Sequence, residues 1–195
     1  SMVVNLGWKD INLKSVFSEL LDNDNIYVGN DANLAALGEA AYGAGKGKKN
    51  VAMLTLGTGV GCGIVVDGKL VEGRHGAAGE IGHLNVFPKY KFQCNCGNIG
   101  CLETVASATG IRNLYNEIKK TYSGDSILFK SEFPTAKTII DAAKAQDGIA
   151  IEVVDEASKY IGYACMILSV TTNPEVIVLG GGGSNAGDFI FDKVR

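Results

Sequence analysis

Long apolar runs are missing from this sequence. The longest, Tyr160–Val170, carries Gly162 and Ser169 and falls well short of the about 20 residues that cross a bilayer. The first residues show no succession of charge, apolar stretch and small residues of the kind a secretory signal has. Ser1-Met2 reads as a cloning remnant ahead of a native segment. Basic clusters are equally scarce. Lys and Arg number 18 against 21 acidic residues, for a net charge of -3, so nucleic acid is not an expected partner. The one cationic cluster, Gly45–Lys49, is interleaved with glycine and reads as a solvated loop. Internal repeats and low-complexity tracts are absent. The five cysteines form an odd set, three of them clustered beside one of only two histidines. That pattern argues against a secreted disulfide framework and for a reduced, cytosolic protein with a metal site.

What is present is a chain of 195 residues with 46% hydrophobic content, enough for one large domain or a domain plus part of another. Helical character is expected over residues 16–21 and, after Asn30-Asp31, over 32–42, where Ala and Leu dominate. A short strand is expected at 26–28. Strands at 51–56, 64–66 and 69–71 are separated by a glycine turn at 57–61 and by Asp67-Gly68, a strong hairpin signal. Residues 102–122 read as helical with a break at Gly110, and 123–134 as an irregular loop. A helix over 135–146 is expected to be capped by Thr135. Ala150, Val153, Val154, Ala157, Ile161, Ala164, Cys165 and Leu168 recur at three- and four-residue steps and predict a buried helical stripe through 149–170. This makes Cys165 a core residue. Asn173-Pro174 stops that helix. A buried strand at 176–179 then runs into Gly180–Gly183, an arrangement that α/β proteins use for nucleotides.

The window Gly79–Glu103 holds the densest chemistry. Cys94, Cys96 and Cys101, with His83 eleven residues ahead, make a Cys3His set suited to tetrahedral zinc. The Cys-x-Cys spacing is tighter than that of ordinary zinc fingers, and Gly97 and Gly100 allow a tight fold around an ion. His75 is expected in a surface loop. Glu80 and Glu103 bracket the metal loop, and each carboxylate offers paired acceptors for vicinal hydroxyls; composition alone slightly favours two exposed glutamates. Leu56–Gly61 (LGTGVG) suits either a tight hairpin or a phosphate cradle with Thr58 adding a hydroxyl. It lacks the Gly-Lys-Ser/Thr ending of a Walker loop. Asn30-Asp31 can be a helix cap, or Asp31 can take a proton from an attacking hydroxyl in phosphoryl transfer.

In order, NDAN, LGTGVGCGI, GAAGEIGH, CNCGNIGCLE followed by TVASATGI, and VIVLGGGGS resemble the ROK family of sugar kinases and sugar-responsive repressors, most of all its bacterial glucokinases. The resemblance spans essentially the whole chain. The GEIGH and CxCGxxGCLE pair is its most specific part.

The resemblance implies an α/β protein of the actin-like, ribonuclease-H-like sugar kinase fold, mostly its large lobe. Residues 1–30 would end a small N-terminal lobe and 31–195 would form the sugar- and zinc-binding lobe. It implies Asp31 as catalytic base, with Asn30, Glu80, His83 and Glu103 on the sugar. Thr58, Gly59, Gly181 and Gly182 would lie at ATP. His83, Cys94, Cys96 and Cys101 would hold a structural zinc. Hexose, ATP and magnesium follow as substrates and ion, with a cytoplasmic homodimer in carbohydrate metabolism and no membrane partner. The family's Asp-x-Gly-Gly-Thr phosphate loop is not found, and the chain reads as a fragment cut at both ends, expected to be weak as a kinase by itself. Cys62 stands where the family usually has glycine. A sugar-binding repressor without kinase activity is the alternative, and a zinc-stabilised interaction module ranks behind both.

Overall fold

The computed structural model describes residues 11–86 and 89–195; Ser1-Met2 lies outside the described residues. The chain divides into two compact units, Ser1–Asp31 and Ala32–Arg195. In the first, α1 (Leu13–Leu21) starts at Asn12, whose side chain accepts from Ser15 N–H at 3.2 Å, and ends at Asp22 in the left-handed region. The strand expected at 26–28 does not form. A strand needs a ladder partner for its backbone groups, and among the described residues no segment pairs with this one.

In the second unit, β1 (Val51–Leu56), β2 (Val60–Val66), β3 (Lys69–Leu70) and β4 (Val176–Gly180) form one sheet in the order β3-β2-β1-β4. β1 and β2 are antiparallel, with Leu56 opposite Val60 and Val51 opposite Val65. The Asp67-Gly68 turn takes positive φ at both residues, the geometry that matches strand twist in a two-residue hairpin. β4 runs parallel to β1, so both end at the same edge of the sheet.

β2 begins four residues earlier than the sequence pattern suggests, at Val60, and includes Gly61 and Gly63. The helix α2 (Asp31–Tyr42) explains these glycines. A Cβ on Gly63 would lie 2.5 Å from the Ala36 Cβ and 2.7 Å from the Ala32 carbonyl. Glycine lets the helix lie on the strand and is no sign of a turn here.

On that face Ala36 packs with Val51, Met53, Val65 and Val178. The opposite face of β1, Ala52, Leu54 and Leu56, joins the larger core. There it meets α3 (Glu103–Ala106), α4 (Ala108–Ile118), α5 (Ala136–Lys144) and α6 (Gly148–Thr172). Helices on both faces leave β1 almost wholly buried, which accounts for its continuous apolar run.

α6 buries Ala150, Val153, Val154, Ala157, Ile161, Ala164 and Leu168, as the periodicity predicts; Cys165 is half-buried against the same core. Asp147 caps it through Ala150 N–H, and Asn173 closes it at φ 44°. α5 begins at Thr135, whose hydroxyl accepts from Thr138 N–H at 3.1 Å.

The break in the 102–122 region lies at Ser107, not Gly110. Ser107 is extended, and its buried Oγ accepts from Gly110 N–H at 3.0 Å, capping α4. Gly110 answers a different need, since a Cβ there would come within 2.6–2.8 Å of the Val105 backbone. The expected loop at 123–134 contains a short 3-10 turn, Ile127–Lys130, tied to Asp147 by Ser126 Oγ and Ile127 N–H. The final helix, α7 (Asp188–Val194), follows a 3-10 turn at Gly182–Ala186. No helix among the described residues is long and apolar enough to cross a membrane.

Candidate active site

The metal loop is held by scattered backbone bonds, and among its described residues the regular element is a 3-10 turn at Ile81–His83. Cys94 N–H donates to Asn98 O, Gly97 N–H to Cys94 O, and Gly100 N–H to Phe92 O. Gly97 and Gly100 take φ of 92° and 77°, which side chains with a Cβ rarely adopt. Leu102 N–H then donates to Leu84 O at 2.9 Å. These ties bring one ligand atom each of His83, Cys94, Cys96 and Cys101 within 4.8 Å of one another. Cys94 Sγ is 3.6 Å from His83 Nδ1, and Cys96 Sγ is 3.6 Å from Cys101 Sγ. The edge of a zinc tetrahedron with bonds of about 2.3 Å is about 3.8 Å, so the donor set fits such an ion.

Burial pushes Cys101 up to about 12, and Cys94 is raised by the same cause. Cys96, at the surface, is drawn down to about 7 by the backbone N–H of Asn98. The two thiols outside the loop are raised by burial, Cys62 to about 12 and Cys165 to about 11, as suits inert core thiols.

His83 presents Nδ1 to this cluster and Nε2 to Glu80 Oε2 at 4.0 Å, the order in which a carboxylate orients a ligating imidazole. Glu103, the first residue of α3, has Oε1 3.7 Å from Cys94 Sγ. Its Oε2 accepts the Val60 N–H at 3.2 Å. The structure thus gathers Glu80, His83, Glu103 and the three cysteines. His75 is exposed and is not part of the donor cluster.

The two glycine turns meet at the carboxyl ends of the parallel strands β1 and β4. Gly181, at φ 83°, lies so close to Leu56 that a Cβ would stand 2.7 Å from its carbonyl oxygen. Beside them opens a cavity of about 450 Å³, lined by Leu56, Gly57, Thr58, Gly182, Gly183 and residues of α4 to α7. That size is within the range of small-molecule sites, and its place is where open α/β sheets bind ligands.

Sequence reasoning missed the α5 wall of this cavity, which includes Lys137, Ile140, Asp141 and Lys144. Lys137 Nζ pairs with Asp141 at 2.6 Å. The only signal in the sequence was charge at steps of four and three, which equally describes a solvated helix face. Asn30 immediately precedes α2 and Asp31 is its first residue. Both are exposed and belong to the unit Ser1–Asp31.

The profile of the ROK family matches residues 2–195. The chain belongs to the ROK family. Among its relatives, a glucokinase of Halalkalibacterium halodurans is 46% identical over 195 residues, which cover 98% of this chain and 59% of that protein. A xylose repressor of Caldicellulosiruptor bescii is 32% identical over 98% of this chain and 48% of its own length. The crystal structure of a ROK family glucokinase from Streptomyces griseus in complex with glucose and AMPPNP superposes with a TM-score of 0.83 at 32% identity, covering 96% of this chain and 62% of that one. The fold is therefore the actin-like ATPase fold of ROK sugar kinases. The chain spans about half to three fifths of the length of these relatives.

Proposed function

We propose that this chain forms the sugar- and nucleotide-binding part of an ATP-dependent hexose kinase acting on the 6-hydroxyl, with glucose as the favoured sugar. The observation that carries this reading is the reach of Glu103. Its carboxylate stands between the Cys3His loop and the glycine turn that lines the cavity. In this reading, the group that would bind a sugar hydroxyl holds the same glycine turn that lines the cavity proposed for the nucleotide.

In this reading Glu80, His83 and Glu103, with Asn30, accept and donate to the sugar hydroxyls and fix the ring. Asp31 takes the proton of the 6-hydroxyl as that oxygen attacks the γ-phosphate. Backbone N–H groups near Thr58, Gly59, Gly181 and Gly182 stabilise the phosphate charge, and magnesium travels with ATP. Most of the acceleration comes from positioning and charge stabilisation. Zinc, held by His83, Cys94, Cys96 and Cys101, supplies structural cross-linking only, since four protein ligands leave no open position. The residues 1–30 would belong to a smaller lobe and 31–195 to the large one. A cytoplasmic homodimer follows from the family resemblance.

The test is a coupled phosphorylation assay across hexoses on the full-length protein and on its Asp31→Asn variant. Loss of a general base is expected to lower kcat about 100- to 10,000-fold while glucose still binds. Near-normal turnover of the variant would reduce Asp31 to a helix-start residue. The xylose-repressor relative favours a second reading, a sugar-binding regulator. Sugar binding with no phosphorylation of any hexose by the full-length wild type would select it.

A further inference from the structure

Glu103 sits half-buried, two residues after Cys101, with Val60 N–H on one oxygen and Cys94 Sγ near the other. Val60 is where the glycine turn re-enters the sheet as β2. Five residues beyond Glu103, Ala108 N–H donates to the Gly57 carbonyl at 2.8 Å. One short segment therefore grips both shoulders of the turn. Ser107, fully buried and bonded to Gly110 N–H, fixes the end of that segment.

Gly59 shows that the turn accommodates the carboxylate. A Cβ built there would stand 2.2 Å from Glu103 Oε2 and 3.2 Å from its Cδ, and the three nearest atoms it would meet all belong to Glu103. Gly59 is not among the glycines with positive φ, so its backbone by itself admits alanine. The absent side chain gives an anionic group room against a turn that lines the cavity. A turn serving phosphates alone would gain nothing from that group, because like charges repel.

We propose that Glu103 is a latch between the sugar and the nucleotide. Oε2 fixes the Gly57–Val60 turn through Val60 N–H, Oε1 takes a sugar hydroxyl, and Gly59 is the seat that permits both. The proposal rests on the kinase reading above. A sugar hydroxyl donating to Oε1 holds the carboxylate in one rotamer and draws its charge away from the turn. Both effects favour phosphate binding. By linkage, nucleotide must tighten sugar binding by the same factor.

The experiment titrates the magnesium complex of AMPPNP into full-length protein calorimetrically, with and without saturating glucose. Wild type, Gly59→Ala, Glu103→Ala and the double variant are compared. Glucose should tighten AMPPNP about 5- to 20-fold in the wild type, within the usual range of coupling between sites. Gly59→Ala should bring that factor close to one and weaken AMPPNP without glucose. In the Glu103→Ala background the same methyl group should change AMPPNP affinity by less than about twofold, because the space it enters is vacated. Hydrogen exchange of residues 57–62 in the wild type provides a readout that needs no variant, and glucose should slow it several-fold.

If wild type binds both ligands with a coupling factor of one, the latch is wrong and the kinase reading stands. Equal Gly59→Ala losses in both backgrounds, or exchange indifferent to glucose, overturn it in the same way. Failure of the wild type to bind either ligand would remove the kinase reading and the latch together.

Discussion

Helix α6 and the metal loop are held together by opposite means. α6 runs for 25 residues and buries a stripe of aliphatic side chains, with Asp147 and Asn173 closing its ends. Among its described residues, the loop between Gly79 and Cys101 has one 3-10 turn, two isolated bridges and four metal-type donors gathered within 4.8 Å. The helix is fixed by removing hydrocarbon from water, which needs no ligand. The loop buries two thiols whose protons are hard to lose, and an ion is the group that would satisfy them together. A disturbance of one region should therefore leave the other largely intact.

The largest effect expected is in the hydrocarbon core. Leu114, fully buried on α4 in the same core as α6, should lose about 2–5 kcal/mol on replacement by alanine. Urea unfolding should give the same loss with and without a zinc chelator. A loss that depends on chelator would show that the two regions are not separable.

Next in size is removal of the zinc proposed for the Cys3His cluster. Chelation, or Cys101→Ser, should speed amide exchange in residues 89–102 by more than tenfold while residues 149–170 keep their protection, since a coupled metal holds such loops folded. Metal analysis should fall from one zinc per chain to well below one. Clean wild-type protein without zinc would remove the metal from the account.

Ser107 lies between the two regions and sharpens the contrast. Its alanine variant leaves the buried Gly110 N–H without its acceptor and should cost about 0.5–2 kcal/mol. That loss should appear in the unfolding midpoint without changing zinc content.

The smallest effect lies at the surface. Glu175 accepts Lys49 and Asn50 N–H at 2.7 and 3.0 Å, and these bonds lower its pKa from the ordinary carboxylate value. A folded pKa below the unfolded one contributes stability above the unfolded value, and that stability is lost as pH falls through the folded value. Glu175→Gln should therefore flatten the fall in melting temperature below about pH 4.5, near the carboxylate reference value, and change little at pH 7. An unaltered acid slope would show that the carboxylate contributes nothing there.

How much was legible in the sequence differs between these regions. α6, Thr135 as a cap and the Asp67-Gly68 hairpin were all readable, because periodicity, capping and turn chemistry act over a few residues. The Cys3His cluster was readable from donor chemistry and spacing, although its geometry was not. The glycines misled. Gly61 and Gly63 lie inside β2 because Ala32 and Ala36 press on it, and Gly110 permits close approach to Val105 while Ser107 makes the break. Residues 26–28 have strand-forming side chains, but no segment among the described residues pairs with them, and propensity alone supplies no ladder partner.

The sequence by itself determined the identity of the donors, the family, and the elements whose causes are local. Only the tertiary structure decided that the two glycine turns meet at one sheet edge, that α5 walls the cavity with Lys137 and Asp141, and that Gly59 yields its space to Glu103. Each of these depends on segments far apart in the chain approaching within a few ångströms. Packing sets such distances, and no local pattern of residues encodes them.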